Sequence, residues 1–417
     1  IGIKLGEVKD SRNIEKRAEE YSKRIEKILE IDMQIKRLIE QVRTYYDYYI
    51  SKESLSEDVL NLIYYASSEM KSPLYVPLYG QFGLEGNKKL GKIIMTLIST
   101  PLMERLQSIY QLATTYIFYV GATHTRLEHS LGVALLSINI LEHLKEEIRE
   151  KLGISVLDED YCLIALAGLL HDIGHPNWGH VIDGIAGYVV KLLTMQGKID
   201  VLQRAEKLDK ILTWLLLSGN TQLTEILQGI EKEIFKNSQR YSPILSSDDI
   251  NLTDLVGYIL FKEEEPLKED LAKKLDEKNK VLQLLKIMSR IIEEDALRGK
   301  VGGIDTDRID YLLRDSYHTF ITEKTEEPIG VLLYRENLYK IIMSIIRNDS
   351  RSKYAIKLKH INGELIPMFN SEVLKMDLHE IIRNFREFMY EKLYENIPRA
   401  FIAVSYTHLT LPTTERV

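Results

Sequence analysis

The chain has 417 residues, of which 45% are hydrophobic and 28% are charged, a balance typical of globular proteins and not of disordered or fibrous ones. Its 55 Lys and Arg residues against 62 Asp and Glu residues give a net charge of −7, which argues against broad binding of nucleic acid and favours a small anionic substrate. The single cysteine, Cys162, excludes a disulfide framework and a cysteine-rich zinc site, and a reducing compartment fits best.

Residues 1–90 are predicted to form a helical N-terminal arm. Apolar residues recur every seven positions from Ile14 to Tyr49, which indicates a long amphipathic helix. This helix is either a coiled-coil or partner-binding arm or is packed on its own domain, and its many tyrosines favour the second interpretation. Residues 51–90 continue as a second helix and a loop rich in Pro, Gly and Tyr. No apolar stretch approaches the ~20 residues of a membrane span and no signal peptide is recognisable, so we predict a cytoplasmic protein.

The middle of the chain is predicted to be an all-α core. Helical periodicity dominates from Gly91 to about Leu170 and returns over 185–300. Two loops rich in His, Gly and Thr interrupt this pattern, near 121–129 and 171–184. We therefore predict a core domain over 91–320, with a helical insertion at about 185–300.

Residues 321–404 are predicted to form a C-terminal lobe of one β-hairpin and a helix. Polar and apolar residues alternate over 353–369, and Asn362 and Gly363 lie at the centre, which is a strong hairpin signal. The remaining residues, 405–417, lack amphipathic continuity with what precedes them, and we interpret them as a non-native tail.

The residues suited to chemistry occur in three segments. An adjacent pair, His171 and Asp172, follows an apolar helix in HDIGHPNWGHVID, where both side chains can reach one cation. The alternative is a pair that is satisfied by its own hydrogen bond. GATHTRLEHSLGV supplies His129, and GIDTDRIDYLLRDSYH supplies several carboxylates. Imidazole and carboxylate ligands together suit Mn, Mg, Fe, Zn or Ni and do not select among them. The carboxylates of the third segment are Asp305, Asp307, Asp310 and Asp315.

The three segments resemble, in order, the motifs of the HD-superfamily metal-dependent phosphohydrolases. The matching forms are H-S-L-G-V, L-L-H-D-I-G-H and D-x-D-R-I-D-Y-x-x-R-D. More narrowly, they are similar to the deoxynucleoside triphosphate (dNTP) triphosphohydrolases, which include bacterial dGTPases and the mammalian sterile-alpha-motif/HD-domain dNTPase. The resemblance runs from about Leu90 to Asp315, weakens over 185–300 and returns near 383–400. It implies a divalent metal ion and the hydrolysis of a dNTP to deoxynucleoside and inorganic triphosphate.

The resemblance also implies roles for individual residues. The implied metal ligands are His129, His171, Asp172 and Asp307. The implied catalytic residues are His175, His180 and Asp183, with His175 acting as acid or base beside an acidic partner. The implied substrate-binding residues are Gln111, Leu112, Arg126, Arg308, Tyr311, Asp315, Arg386, Tyr390 and Tyr394.

Two departures from the family pattern leave alternatives open. A catalytic histidine that some members carry in a T-H-E segment has no counterpart between Ile185 and Leu245, and the histidine of the last family helix is Asn396 here. One alternative is another HD phosphohydrolase that acts on nucleoside monophosphates, alarmones or cyclic dinucleotides. A second is a catalytically weak protein that binds nucleotide or single-stranded nucleic acid. The net charge of −7 does not indicate binding of nucleic acid. The resemblance further implies a homo-oligomer, in which a nucleotide activator is one option, and the lack of an apolar span predicts no membrane partner.

Overall fold

The computed structural model describes residues 74–82, 88–175, 208–218, 221–245, 250–261, 280–293, 303–319, 329–348 and 354–394. All of these belong to one compact unit, Ser54–Val417. The predicted helices before Leu74, the predicted site residues His180 and Asp183, and the predicted tail lie outside the described residues.

Helices make up most of the described chain, and two antiparallel hairpins complete it. The prediction of an all-α fold with a small C-terminal β-hairpin is therefore confirmed. The helices are α1 (Lys88–Ile98), α2 (Pro101–Gln107), α3 (Arg126–Leu152), α4 (Asp158–Leu170), α5 (Leu208–Ser218), α6 (Gln222–Ile230), α7 (Ser242–Leu245), α8 (Leu252–Leu260), α9 (Lys280–Ile292), α10 (Thr306–Thr319), α11 (Ile329–Ile346), α12 (Ser371–Leu374) and α13 (Leu378–Met389). The strands are β1 (Leu74–Val76), β2 (Gly80–Phe82), β3 (Ile356–Ile361) and β4 (Glu364–Phe369). A 3-10 turn covers Ala113–Ile117, and π turns cover Glu231–Phe235 and Tyr390–Tyr394.

Helix α3 is the central element of the fold. It begins where the Thr125 side chain accepts a hydrogen bond from the backbone N–H of Glu128, and it ends at Gly153 in the left-handed conformation. The residues from Gly132 to Ser137 are all buried, so this helix is covered on every side along that stretch. Helices α4, α9 and α10 pack directly against it. The start of α3 at Arg126 shortens the loop that the sequence predicted near 121–129.

Helix α4 brings the His–Asp pair to the centre of the molecule. Every residue from Cys162 to Leu170 is buried, so the helix is apolar all round and its direction is fixed by packing. Burial raises the pKa of the Cys162 thiol, which is consistent with a core residue. Because α4 ends at Leu170, the next two residues, His171 and Asp172, leave the helix at its buried end.

The sequence predicted one of the two hairpins and missed the other. The predicted C-terminal hairpin is confirmed, since β3 and β4 pair antiparallel and the turn residues Asn362 and Gly363 both have positive φ. The region of β1 and β2 was predicted to be a loop, but these strands pair antiparallel around a turn that contains Pro77. Strands of three residues are too short to produce a visible alternation. None of the described helices has the length and apolar composition of a membrane span.

Candidate metal centre and catalytic site

Three elements bring two histidines and a carboxylate together. His129 lies in the first turn of α3, His171 follows α4, and Asp307 lies in the first turn of α10. His129 Nε2 is 3.0 Å from Asp307 Oδ1 and 3.2 Å from His171 Nε2, and His171 Nε2 is 3.7 Å from Asp307 Oδ1. Ligand atoms about 2.1 Å from one divalent cation are roughly 3.0 to 3.4 Å apart in octahedral or tetrahedral geometry. These three side chains are therefore a candidate metal-binding group.

The hydrogen bonds of the two imidazoles favour a cation between them. His129 Nδ1 donates to Asp310 Oδ2 at 2.7 Å, and His171 Nδ1 donates to the carbonyl oxygen of Gly168 at 2.7 Å. Histidine ligands commonly fix their second nitrogen in this way. Each ring then turns Nε2 toward the other ring at 3.2 Å. Because two lone pairs at that distance repel, a proton or a metal ion is needed between them.

The pKa shifts of His129 and Asp307 also show that this group favours a positive charge. Burial opposes protonation of His129, but hydrogen bonds and charge from Asp307 and Asp310 outweigh burial and raise the pKa of His129 to about 10. Burial likewise opposes ionisation of Asp307, and hydrogen bonds from His129 and His171 hold its pKa well below the ordinary value. A divalent cation would supply the charge that the bound proton provides.

Asp310 fixes His129 and lies outside the candidate metal-binding group. The Arg314 guanidinium donates from Nε to Asp310 Oδ2 at 2.9 Å and from Nη2 to Oδ1 at 2.8 Å, a two-point contact that fixes the carboxylate. Arg314 Nη1 also donates to the carbonyl oxygen of Pro77 at 3.3 Å. A Cβ atom at Gly132 would lie 2.0 Å from Asp310 Oδ1, so α3 carries a glycine where the carboxylate crosses it. These contacts fix the ring of His129.

The fourth predicted ligand, Asp172, lies beside the other three. Its Oδ1 is 3.6 Å from His171 Nε2, and its Oδ2 is 3.8 Å from His129 Nε2. The buried Arg126 guanidinium donates from Nη1 to Asp172 Oδ2 at 2.6 Å. Burial opposes ionisation of Asp172, but the charges of His175, His171 and Arg126 outweigh it and hold the pKa well below the ordinary value. A fixed positive charge thus adjoins the metal-binding group, where a phosphate would need it.

His175 and Asp209 form a second group of donor atoms with Asp172. His175 Nε2 is 3.4 Å from Asp172 Oδ1 and 3.3 Å from Asp209 Oδ2, and all three residues are buried. The sequence predicted His175 but not Asp209, which lies at the second residue of α5 in the predicted helical insertion. No motif marks Asp209 in the sequence. Its only signal is an acidic residue in the first turn of a predicted helix.

The loop that carries His175 is fixed to two helices. Arg105 of α2 donates from Nη1 to the carbonyl oxygen of His175 at 2.7 Å and from Nη2 to that of Ile173. The backbone N–H of Gly174 donates to Thr213 Oγ1 of α5 at 3.0 Å. A Cβ atom at Gly174 would lie 2.3 Å from the Asp209 carbonyl oxygen and 2.3 Å from Thr213 N, so the loop contacts α5 at a distance that only glycine permits.

Three of the predicted substrate-binding residues, Tyr311, Asp315 and Tyr394, meet beside the second half of α10. The buried His124 donates from Nε2 to Asp315 Oδ1 at 2.8 Å, and Tyr394 OH donates to Asp315 Oδ2 at 2.5 Å. The ring centroids of Tyr311 and Tyr394 are 6.3 Å apart in an edge-on contact. The structure therefore brings the C-terminal π turn against α10.

The remaining predicted substrate residues have defined partners. Tyr390 adjoins the group at 5.1 Å from the Tyr394 ring, and the Arg386 guanidinium lies 4.5 Å above the Tyr390 ring. Arg308 Nη2 is 2.9 Å from Asp305 Oδ2, while Asp305 Oδ1 accepts from the Arg308 backbone and caps α10. Asp305 thus orients Arg308 and lies outside the metal-binding group.

The segment before α3 places Gln111 and Leu112 near the arginine of the site. The Gln111 N–H donates to the His124 carbonyl oxygen at 2.9 Å, and the Arg126 N–H donates to that of Ile109 at 2.9 Å. Leu112 is buried. Gln111 Oε1 is also buried and accepts no hydrogen bond from the described residues. An acceptor of this kind is available to a ligand.

His318 makes the fold sensitive to mild acid. Its ring stacks on His124 with centroids 4.4 Å apart, and burial together with the His124 charge lowers the pKa of His318 to about 4. Since the unfolded pKa is about 6.5, the unfolded chain binds this proton more readily, and stability is lost as the pH falls from about 6.5 toward 4. We expect His318→Gln to lose less stability than the parent between pH 7.5 and pH 5, measured by urea unfolding. An equal loss in both proteins would contradict the assignment.

Comparison with known proteins agrees with the geometry. Residues 126–315 match the family model described as HD domain. The deoxynucleoside triphosphate triphosphohydrolase SAMHD1 of Bos taurus is 27% identical over 56% of this chain and 34% of its own length. The human protein of that name is 29% identical over 56% and 32%, and the mouse protein is 27% identical over 69% and 39%. The chain thus spans about a third of the length of these relatives. Residues 126–315 thus match the HD domain family model, and over about half its length the chain is similar to proteins named deoxynucleoside triphosphate triphosphohydrolase SAMHD1.

Proposed function

We propose that this protein hydrolyses deoxynucleoside triphosphates to deoxynucleoside and inorganic triphosphate, with a divalent cation held by His129, His171, Asp172 and Asp307. The observation that carries the proposal is the 3.2 Å contact between the Nε2 atoms of His129 and His171, whose Nδ1 atoms both donate elsewhere. The resemblance to proteins named deoxynucleoside triphosphate triphosphohydrolases supports the choice of substrate. When bound, the cation would activate water and neutralise phosphate charge.

The chain's own residues supply the rest of the chemistry. Arg126 carries its charge beside Asp172 and would bind the α-phosphate through charge-assisted hydrogen bonds. Arg308, oriented by Asp305, would hold the outer phosphates. His175 would donate its Nε2 proton to the departing 5′-oxygen, because Nε2 is the ring atom that lies beside Asp172. The carboxylates that face Nε2 can only accept hydrogen bonds, which keeps the hydrogen on that atom.

A second set of residues would select the sugar and base. Asp315 is fixed by His124 and Tyr394, and its carboxylate would accept a hydrogen bond from a sugar hydroxyl. Tyr311, whose edge contacts Tyr394, would crowd a 2′-hydroxyl and so favour deoxyribose. Gln111 would hydrogen-bond the nucleotide through the amide oxygen that the described residues leave unpaired.

The test is a mass-resolved assay of each of the four dNTPs and GTP with Mn or Mg. We expect inorganic triphosphate and deoxynucleoside as the only products. Release of monophosphate, pyrophosphate or nothing from all of these substrates would contradict the proposal and would favour another HD phosphohydrolase. Adding the nucleotides in pairs tests the proposed nucleotide activator, since activation would appear as a response that the single additions lack.

The proposal also covers the compartment, the oligomeric state and the partners of the protein. We propose a cytoplasmic homo-oligomer whose partner is a nucleotide and not a membrane. The buried single thiol of Cys162 is compatible with a reducing compartment. Sedimentation with and without added nucleotide would measure the oligomeric state, and a monomer under both conditions would contradict this part.

A further inference from the structure

The sequence leaves the acid–base residue His175 without the histidine that some family members carry after the HD loop. The structure offers a different neighbour, Asp209, from the first turn of α5. His175 is 3% exposed and Asp209 is 4% exposed, so water does not separate or screen the pair. Their closest atoms, His175 Nε2 and Asp209 Oδ2, are 3.3 Å apart.

The contacts of Asp209 differ from those of the other buried carboxylates of the site. Asp310 accepts from Arg314, Asp305 accepts from Arg308, and Asp172 accepts from Arg126. The neighbouring cation on α5, Lys210, has its ammonium 2.6 Å from Glu293 Oε2.

Asp209 therefore directs one oxygen at His175. Its second oxygen, Oδ1, is buried and accepts no hydrogen bond from the described part of the chain. A buried carboxylate without a strong donor is costly, so the contact with the imidazole stabilises Asp209.

The backbone around this pair is fixed on both sides. Gly174 contacts Asp209 O and Thr213 N so closely that a Cβ atom would overlap both, and Arg105 binds the carbonyl oxygen of His175. The distance between the imidazole and the Asp209 carboxylate is therefore set by the packing of the loop on α5. A side chain held in this way has its orientation selected before any substrate arrives.

We propose that Asp209 is a positioning residue that fixes the ring of His175 and keeps the ring proton on Nε2, from which it passes to the substrate, an inference that rests on the proposed function. In the reaction, the oxygen of water bonds to the α-phosphorus and the bond to the 5′-oxygen breaks. The electron pair of that bond stays on the 5′-oxygen, which takes the Nε2 proton of His175. A proton from the attacking water then restores His175. The Asp209 carboxylate contacts Nε2 before the transfer to the 5′-oxygen, and it neither gains nor loses a proton in the step.

The decisive variant is Asp209→Asn, assayed on two substrates. On a natural dNTP we expect kcat to fall by roughly 10- to 100-fold with KM unchanged, because general acid–base catalysis contributes about 10²- to 10⁴-fold. On a dNTP with sulfur in place of the 5′-bridging oxygen, a thiolate leaves without a proton, and we expect a loss below about threefold. Asp209→Asn combined with His175→Gln should be no slower than His175→Gln alone.

The matched control is Asp160→Asn. Asp160 is also a fully buried aspartate on a helix, where it binds Arg240 and the Tyr241 hydroxyl at 2.7 Å, and it lies outside the site. We expect it to lower stability and to leave the ratio of the two substrate rates unchanged. Equal slowing of both substrates by Asp209→Asn, or additive effects with His175→Gln, would overturn the proposal. So would a lower cation content in purified Asp209→Asn, since Asp209 would then be a metal ligand.

A readout that needs no turnover separates this proposal from the proposed function. A histidine N–H that donates to a buried carboxylate gives a downfield proton resonance, and loss of that resonance in His175→Gln assigns it. We expect Asp209→Asn to shift it upfield and Asp160→Asn to leave it in place. If the parent protein releases no triphosphate but this pattern holds, the proposed function fails and the positioning contact stands. If the resonance does not respond to Asp209→Asn, the positioning proposal fails.

Discussion

His171→Ala combined with Asp172→Ala is expected to lower the rate of triphosphate release by roughly 10³-fold or more and to remove the bound cation. The change deletes one imidazole of the 3.2 Å contact with His129 and the carboxylate that accepts from Arg126 at 2.6 Å. With these groups gone, the remaining pair of His129 and Asp307 holds a divalent ion weakly. The measurements are product analysis with a saturating dNTP and elemental analysis of the purified protein.

A control for this change is His143→Ala, which removes a histidine from the same helix, α3, about 21 Å along its axis from His129. His143 Nδ1 donates to the carbonyl oxygen of Asn139, about four helical turns from His129. We expect it to retain full activity and full cation content. Undiminished triphosphate release by the double variant would show that His171 and Asp172 do not hold the catalytic cation. A cellular phenotype that survives the double change would favour a binding protein over an enzyme.

Arg126→Ala is the second substitution with a large expected effect. Removing one preorganised donor to a developing charge costs about 10²- to 10³-fold in rate, and we expect kcat/KM for a dNTP to fall by that amount. The side chain is 2% exposed and its guanidinium is fixed by Asp172, so it meets the phosphate without reorganisation. Arg126→Lys should recover only part of the loss because an ammonium cannot form the planar two-point contact.

The comparison variant for Arg126 is Arg149→Ala on the same helix. Arg149 has a side chain that is 60% exposed and pairs only with Glu146 among the described residues, and surface pairs of this kind contribute little to stability. We expect kcat/KM to stay within about twofold of the parent. A loss below threefold for Arg126→Ala would show that the phosphates bind away from Asp172 and would require a different substrate orientation.

The features that the sequence predicts well are those with local causes. The C-terminal hairpin follows from the two turn residues Asn362 and Gly363, whose positive φ values suit the twist of the strands. Helix α4 follows from an unbroken apolar run that ends at the His–Asp pair. His129, His171 and Asp307 were identified through motifs, and the fold brings them within 3.7 Å of one another. For the hairpin and α4, neighbouring residues determine the outcome, whereas His129, His171 and Asp307 come from distant segments and only the resemblance to the family indicated that they meet.

Features that depend on packing between distant segments were not predictable. Asp209 reaches His175 because Gly174 packs against α5, a contact between two segments that no sequence pattern links. Arg105 of α2 binds the carbonyl oxygens of Ile173 and His175, which lie in a distant segment of the chain. Short strands such as β1 and β2 depend on tertiary contacts for their stability, so their composition is that of a loop.

The hydrogen bond from Arg314 to the carbonyl oxygen of Pro77 also bears on how the protein can be divided. The HD family match begins at Arg126, yet Arg314 fixes Asp310, and Asp310 fixes the ring of His129. A fragment trimmed to the matched residues would lose the main-chain acceptor that helps to hold this arginine. Expression boundaries for crystallisation or for isolated-domain assays should therefore be drawn upstream of Leu74, so that the β1–β2 hairpin stays attached to the candidate metal-binding group.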